Sequence, residues 1–190
     1  RRQYARAIQV DPKFGIGYQA LAAVSLNLGA VKDAERYAQE ALSHLDGMTQ
    51  REVYSIRGLY YLTTGDYPQC VKEYGDLIAA YPADVAGHNN LALCSTYLRD
   101  LPKALGEMRR VVTMLPKRDL YRVNLALYSN YAGEFQDAER EARAIQAPDV
   151  KALTALAFAQ LGQEQPAQAL ATYQRMPAIG PLGEIGRAHV

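Results

Sequence analysis

The alanine at position 104 has counterparts 34 residues to either side, Cys70 and Ala138. Gly58, Ala92 and Ala126 fall on the same step, as do Arg57, Leu91 and Leu125, and so do Pro82 and Pro116. Self-similarity at a fixed period means a stack of like supersecondary units, in which no unit buries its apolar side alone. Such stacks offer an extended surface to another chain and seldom perform chemistry themselves.

Each unit reads as two helices. In residues 85–118, Leu91, Ala92, Ser95 and Leu98 recur at helical spacing. A break follows at Arg99-Asp100, Pro102 opens the second helix, where its missing N–H costs nothing, and Pro116 stops it. The same pattern predicts helix pairs at 15–28 and 31–45 (turn at Gly29), 51–64 and 67–80 (turn at Gly65-Asp66), 119–132 and 135–146 (turn at Gly133), and 148–161 and 165–176 (turn at Gly162). The chain therefore divides into a second helix at 1–12, repeats at 13–46, 51–84, 85–118, 119–147 and 148–178, and the start of a first helix at 181–190. Two irregularities break the period. About two extra residues sit near Asp46-Gln50, and only 29 residues separate Gly133 from Gly162.

Small residues mark where paired helices approach: Ala22, Gly58, Ala92, Ala126 and Ala155 in the first helices, Ala34, Cys70, Ala104 and Ala138 in the second. Tyr18, Tyr54, Tyr74, Leu91, Leu125 and Tyr173 are expected to fill the space between hairpins. Cys70 and Cys94, the only cysteines, lie in apolar helical faces and read as two buried thiols rather than a disulfide. That usage leans towards a reducing, cytoplasmic setting, with a periplasmic or extracytoplasmic one left open to an upstream anchor. A formal net charge of +1 gives no electrostatic reason to expect nucleic acid or an anionic membrane. No apolar run reaches the roughly 18 residues of a membrane span.

The segments HNNLALCSTYLRDLPKALGEMRRVVTMLP and YSIRGLYYLTTGDYPQCVKEYGDLIAAYP resemble the tetratricopeptide repeat (TPR) family in length and in the placing of small, aromatic and proline residues. The resemblance covers essentially the whole chain. It implies an all-α, right-handed superhelical solenoid of antiparallel hairpins. Residues 51–92 are also similar to TPR regions of larger bacterial regulators such as serine/threonine kinases, although no kinase motif is present. His88, Arg122 and Lys151 stand where the family carries a large aromatic or apolar residue.

In such a stack the first helices line the inner wall. The resemblance implies wall columns of Gln19, Ser55, Asn89, Val123 and Ala152; of Ala20, Ile56, Asn90, Asn124 and Leu153; of Ala23, Leu59, Leu93, Leu127 and Leu156; and of Asn27, Thr63, Tyr97, Tyr131 and Gln160. Offsets of 3, 4 and 7 share one helix face. The candidate peptide-binding residues are thus Asn89, Asn90, Leu93, Tyr97, Asn124, Leu127, Tyr131, Leu59 and Thr63. Amides can donate to and accept from a peptide backbone. Leucines can take apolar side chains, and tyrosines offer rigid contact area with a polar tip. These columns carry no Lys or Arg, which argues against the family's carboxylate-clamping subtype, since that mode relies on charge-assisted bonds.

Other signals are weaker. Gly15-Ile-Gly17-Tyr-Gln-Ala20 spells a dinucleotide-binding pattern but lacks a preceding strand. His44, His88 and His189 fall in different repeats, so no metal site and no cofactor is expected. No nucleophile motif is present, and the chain is expected not to be an enzyme. Asp137, Glu139 and Glu141 beside Arg140 and Arg143 read as a solvated helix face. Seven cations against three carboxylates between Arg99 and Arg122 read mainly as the outer face of a second helix. The leading expectation is a non-catalytic module binding a peptide or partner protein. A regulatory or self-association segment of a larger enzyme, with homo-oligomers through the end repeats, is the alternative; a helical-repeat nucleic-acid binder ranks below both.

Overall fold

The computed structural model describes residues 2–177. They form α1 (Arg2–Val10), α2 (Gly15–Asn27), α3 (Val31–Ser43), α4 (Gln50–Thr64), α5 (Tyr67–Ala80), α6 (Val85–Tyr97), α7 (Leu101–Met114), α8 (Asp119–Tyr131), α9 (Phe135–Arg143), α10 (Val150–Gly162) and α11 (Pro166–Gln174). No strand occurs among the described residues. The expected helix start at 181–190 and His189 lie outside them. The chain divides into two compact units, 1–107 and 108–190.

Local chemistry sets the helix starts. Thr49 and Glu52 close a capping box on α4, the Thr49 hydroxyl accepting from the Glu52 N–H at 3.3 Å and the Glu52 carboxylate from the Thr49 N–H at 2.8 Å. Such caps stabilise a helix by about 1 kcal/mol. Asp66, Asp84 and Asp149 cap α5, α6 and α10 in the same sense. The two extra residues near Asp46-Gln50 are absorbed in the loop ahead of the Thr49 cap.

Each hairpin turn contains one left-handed residue: Gly29, Gly65, Arg99, Gly133 and Glu164. This corrects the expected turn at Gly162, which instead ends α10. Gly162 lacks a Cβ for a different reason: the Phe135 ring fills the place where one would stand. The turn's backbone bonding confirms the register. The N–H groups of Ala30, Asp100, Glu134 and Gln165 each donate at 2.9 Å to the carbonyl five residues earlier, on Ser25, Ser95, Ser129 and Gln160. Gln160 therefore corresponds to Ser129, a step of 31. The missing residues come out of α9, which has 9 residues where α7 has 14.

In unit 1 the core gathers Ala22, Ala38, Leu59, Leu62, Cys70, Tyr74, Leu77, Leu91 and Cys94. Gly58 lets the Tyr74 ring approach to 2.7 Å of a would-be Cβ, so α4 and α5 close tightly. The expectation of two separate thiols is overturned here: Cys70 and Cys94 are joined in a disulfide, their Cα atoms 6.1 Å apart. Each sequence face reads as apolar in isolation. Only the antiparallel packing of α5 on α6 brings the two sulfurs together. In unit 2, small residues carry the packing, with Ala126, Ala142, Ala155 and Leu156 in one cluster and Val123, Ile145 and Ala152 in another.

A second regularity joins the two helices of a hairpin through residues 19 apart. Tyr18 meets Tyr37 with ring centroids 6.5 Å apart. His88 Nδ1 lies 2.5 Å from the Glu107 carboxylate, and Arg122 reaches Glu141 at 2.6 Å. Where the aromatic pair gives way to His88 or Arg122, a glutamate faces it, so each largely buried polar side chain finds a partner. The corrected register removes Lys151 from this set. It is exposed, and Leu153, 4 % exposed, fills the position.

Candidate peptide-binding surface

In unit 1 the candidate residues lie on α4 and α6. Leu59 and Thr63 are only 4 % and 6 % exposed. The Thr63 hydroxyl donates to the Tyr60 carbonyl at 2.8 Å, so both residues serve the core and the helix rather than an open wall. Leu93 is half-buried and packs on the same core. Asn89 and Asn90 are half-buried.

The amides are tied into a ladder. Asn89 Nδ2 donates to Asn90 Oδ1 at 3.0 Å, and Asn90 Nδ2 donates to the Tyr74 hydroxyl at 3.0 Å. Burial pushes the Tyr74 phenol above its ordinary pKa, which keeps the hydroxyl neutral and able to accept. One hairpin earlier, Gln19 Nε2 donates to the Ser55 hydroxyl at 2.6 Å, bringing two members of the first expected column side by side. Asn90 thus acts as a strut within the fold, holding Asn89 at the surface. Tyr97 is 54 % exposed, and its ring stacks on Tyr67 with centroids 4.4 Å apart and planes within 10°. The stack immobilises an exposed aromatic face.

In unit 2, Asn124 and Leu127 on α8 are half-buried, and Leu127 packs against both core clusters. Tyr131 is 56 % exposed beside Tyr128, ring centroids 6.4 Å apart. The expected wall residues of α10 do not reach a surface: Ala152, Leu153, Leu156 and Gln160 are all buried. The two-residue shift in register puts Thr154, Ala155, Phe158 and Gly162 in their place, and Phe158 and the neighbouring Leu161 are about half exposed. With Leu170 and Tyr173 of α11 they line an apolar recess of about 600 Å³. Nothing in the sequence marks Glu164 as the turn, because a glutamate seldom adopts the left-handed conformation, so the register that forms this recess is set by the tertiary structure.

Several arginines near α9 are held in ion pairs. Arg109 bonds Glu134 and Asp137, Arg140 bonds Asp137 at 2.6 Å, and Arg143 bonds Glu139 at 2.6 Å. The Arg140 hydrogen bond, opposed by some desolvation, holds the Asp137 carboxyl below its usual range. No group of three His, Cys, Asp or Glu side chains among the described residues is arranged to hold a metal ion. No helix there is long and apolar enough to cross a membrane.

No family model matches the chain. One curated relative, trafficking protein particle complex subunit 12 from Mus musculus, is 26% identical over 102 residues; the match spans 52% of this chain and 13% of that protein. Among solved structures, the thermophilic TPR protein TTC0263 of Thermus thermophilus superposes with a TM-score of 0.69 at 19% identity, covering 85% of this chain and 89% of its own. YrrB, a TPR protein with an unusual peptide-binding site, gives a TM-score of 0.60 at 18% identity over 90% of this chain and 89% of its own. The Cut9–Hcn1 complex of the APC/C gives 0.70 at 17% identity over 92% of this chain and 35% of the matched chain. The 34-residue step, the hairpin turns and these superpositions converge: the chain has the tetratricopeptide-repeat fold, an all-helical solenoid of antiparallel hairpins.

Proposed function

We propose that this chain is a non-catalytic interaction module that binds a peptide or a partner protein along the faces of its first helices. The observation that carries this reading is the α6 surface of unit 1, where the Asn89 amide and the stacked Tyr97 ring stand at a fixed spacing on a rigid helix. Preorganised aromatic and amide groups lose little conformational freedom on binding. Tyr97 supplies contact area, Asn89 a backbone-directed hydrogen bond, Leu93 an apolar floor, and Asn90 positions Asn89. On unit 2's own surface, Asn124, Leu127 and Tyr131 repeat this combination. The fold is shared with YrrB, described as having a peptide-binding site, and with Cut9, solved within an assembly, which supports a protein or peptide partner over nucleic acid.

Selection from a displayed random-peptide library tests this. Wild type is expected to enrich a defined sequence, and Tyr97→Ala to lose at least about tenfold of the affinity for it, the scale of a hot-spot aromatic. Equal enrichment by Tyr97→Ala and Asn89→Ala, with folding intact, would dismiss the α6 surface. The apolar recess beside Phe158 and Leu161 supports a second reading, self-association within a larger regulatory protein. Light scattering separates them: a strict monomer at high concentration removes the second reading.

A further inference from the structure

The seam between α5 and α6 in unit 1 is built as a series of antiparallel rungs. Tyr67 stacks on Tyr97, Cys70 bonds to Cys94, the Tyr74 hydroxyl accepts from Asn90, and Leu77 comes within 3.0 Å of a would-be Cβ on Gly87. The disulfide lies between the two rungs that hold Asn90 and Tyr97. It also crosses from the second helix of one hairpin to the first helix of the next, adding a covalent tie to a junction otherwise held by packing and the Asn90–Tyr74 hydrogen bond. Repeat folds do not require a crosslink there: Ala34, Ala104 and Ala138 occupy the place of Cys70 in other hairpins, each fully buried.

We propose that the Cys70–Cys94 disulfide is a redox-sensitive lock on this seam, fixing α6 against α5 when oxidised and releasing it when a dithiol reductant opens the bond. The step is ordinary thiol–disulfide exchange. A thiolate of the reductant attacks one cysteine sulfur, the S–S bond breaks, and the other cysteine leaves as a thiolate and takes up a proton. The reductant's second thiol then attacks the mixed disulfide and expels the remaining cysteine. The protein gains two electrons and two protons, and the reductant ends as a disulfide. A small-molecule disulfide such as oxidised glutathione reverses the reaction. Both sulfur-bearing residues are fully buried, so exchange proceeds only through transient opening of the seam and the lock responds slowly. The lock acts on α6 whatever its surface binds, so it stands apart from the function proposed above.

The test uses the whole chain, equilibrated with a glutathione redox buffer and then with a dithiol reductant. Intact mass with and without alkylation reads the cysteine state, and amide hydrogen exchange reads the helices. The oxidised protein is expected to be two hydrogens lighter and to resist alkylation under native conditions. Reduction is expected to speed exchange in α6 by about tenfold or more and to leave α10 unchanged. Cys70→Ala/Cys94→Ala is expected to show the fast α6 exchange with no response to reductant; should that variant not fold, the wild-type comparison decides by itself. Two free thiols in the oxidising buffer would overturn the proposal, and so would a formed disulfide whose reduction leaves α6 exchange unaltered.

Discussion

Unit 1 and unit 2 use the same hairpin and hold it together differently. In unit 1, bulky groups meet across the seams: Tyr74 over Gly58, Tyr67 on Tyr97, and a disulfide between them. In unit 2, alanines fill the seams, and α9 carries a dense set of charges, with Asp137, Glu139 and Glu141 each bonded to an arginine. Hairpins in a stack touch only their neighbours, so each junction can be solved with its own chemistry without disturbing the next. One fold can therefore respond locally to different conditions.

The sharpest way to break this comparison is Tyr74→Ala. Removing a fully buried aromatic should cost unit 1 roughly 3–5 kcal/mol, read as loss of hydrogen-exchange protection in α4 and α5. Protection in α10 should stay as it was; a uniform loss in both units would mean they do not open separately. Next in size is Arg122→Ala, which leaves the largely buried Glu141 carboxylate only its longer pairing with Arg140 and should cost unit 2 about 2 kcal/mol, measured by urea unfolding. Arg122→Leu/Glu141→Leu should recover most of that, because an apolar pair has no charge to desolvate.

Acid should separate the units further. The Asp137 pKa is lowered in the folded state, so its contribution to stability is present above the ordinary carboxylate range and is lost as pH falls through the lower folded value. Protection in α9 should therefore decline on acidification ahead of protection in α5, and Asp137→Asn should flatten that decline. A decline in α9 that Asp137→Asn leaves unchanged would assign it elsewhere. The smallest expected effect concerns the two turns that place a side chain in the left-handed region. Arg99→Gly and Glu164→Gly should each stabilise by about 0.5–1 kcal/mol, visible as a small rise in melting temperature.

Much of the fold was legible because period and turn are local chemistry. Helix pairs and their Gly and Pro punctuation follow from side chains acting within a few positions of themselves. The exception at Gly162 is instructive. A glycine can mark a turn or a close contact, and the two look alike until Phe135 is seen lying over it. Taking Gly162 for the turn moved the α10 columns by two residues, and at helical pitch two residues carry a side chain to the far side of the helix. Leu153 and Leu156 therefore lie in the core, and Phe158 takes the exposed position. On α4 the register was right, yet Leu59 and Thr63 still lie in the core, because exposure depends on how closely the neighbouring helices approach.

By itself the amino-acid order determined the architecture: a residue type returning every 34 positions commits each helix pair to rest on another, and no closed core can satisfy that pattern. Only the tertiary arrangement decided which members of a column meet solvent, that His88 and Arg122 each face a glutamate, and that Cys70 reaches Cys94. Those outcomes depend on distances between helices remote in the chain, and a one-dimensional pattern carries no measure of such distances.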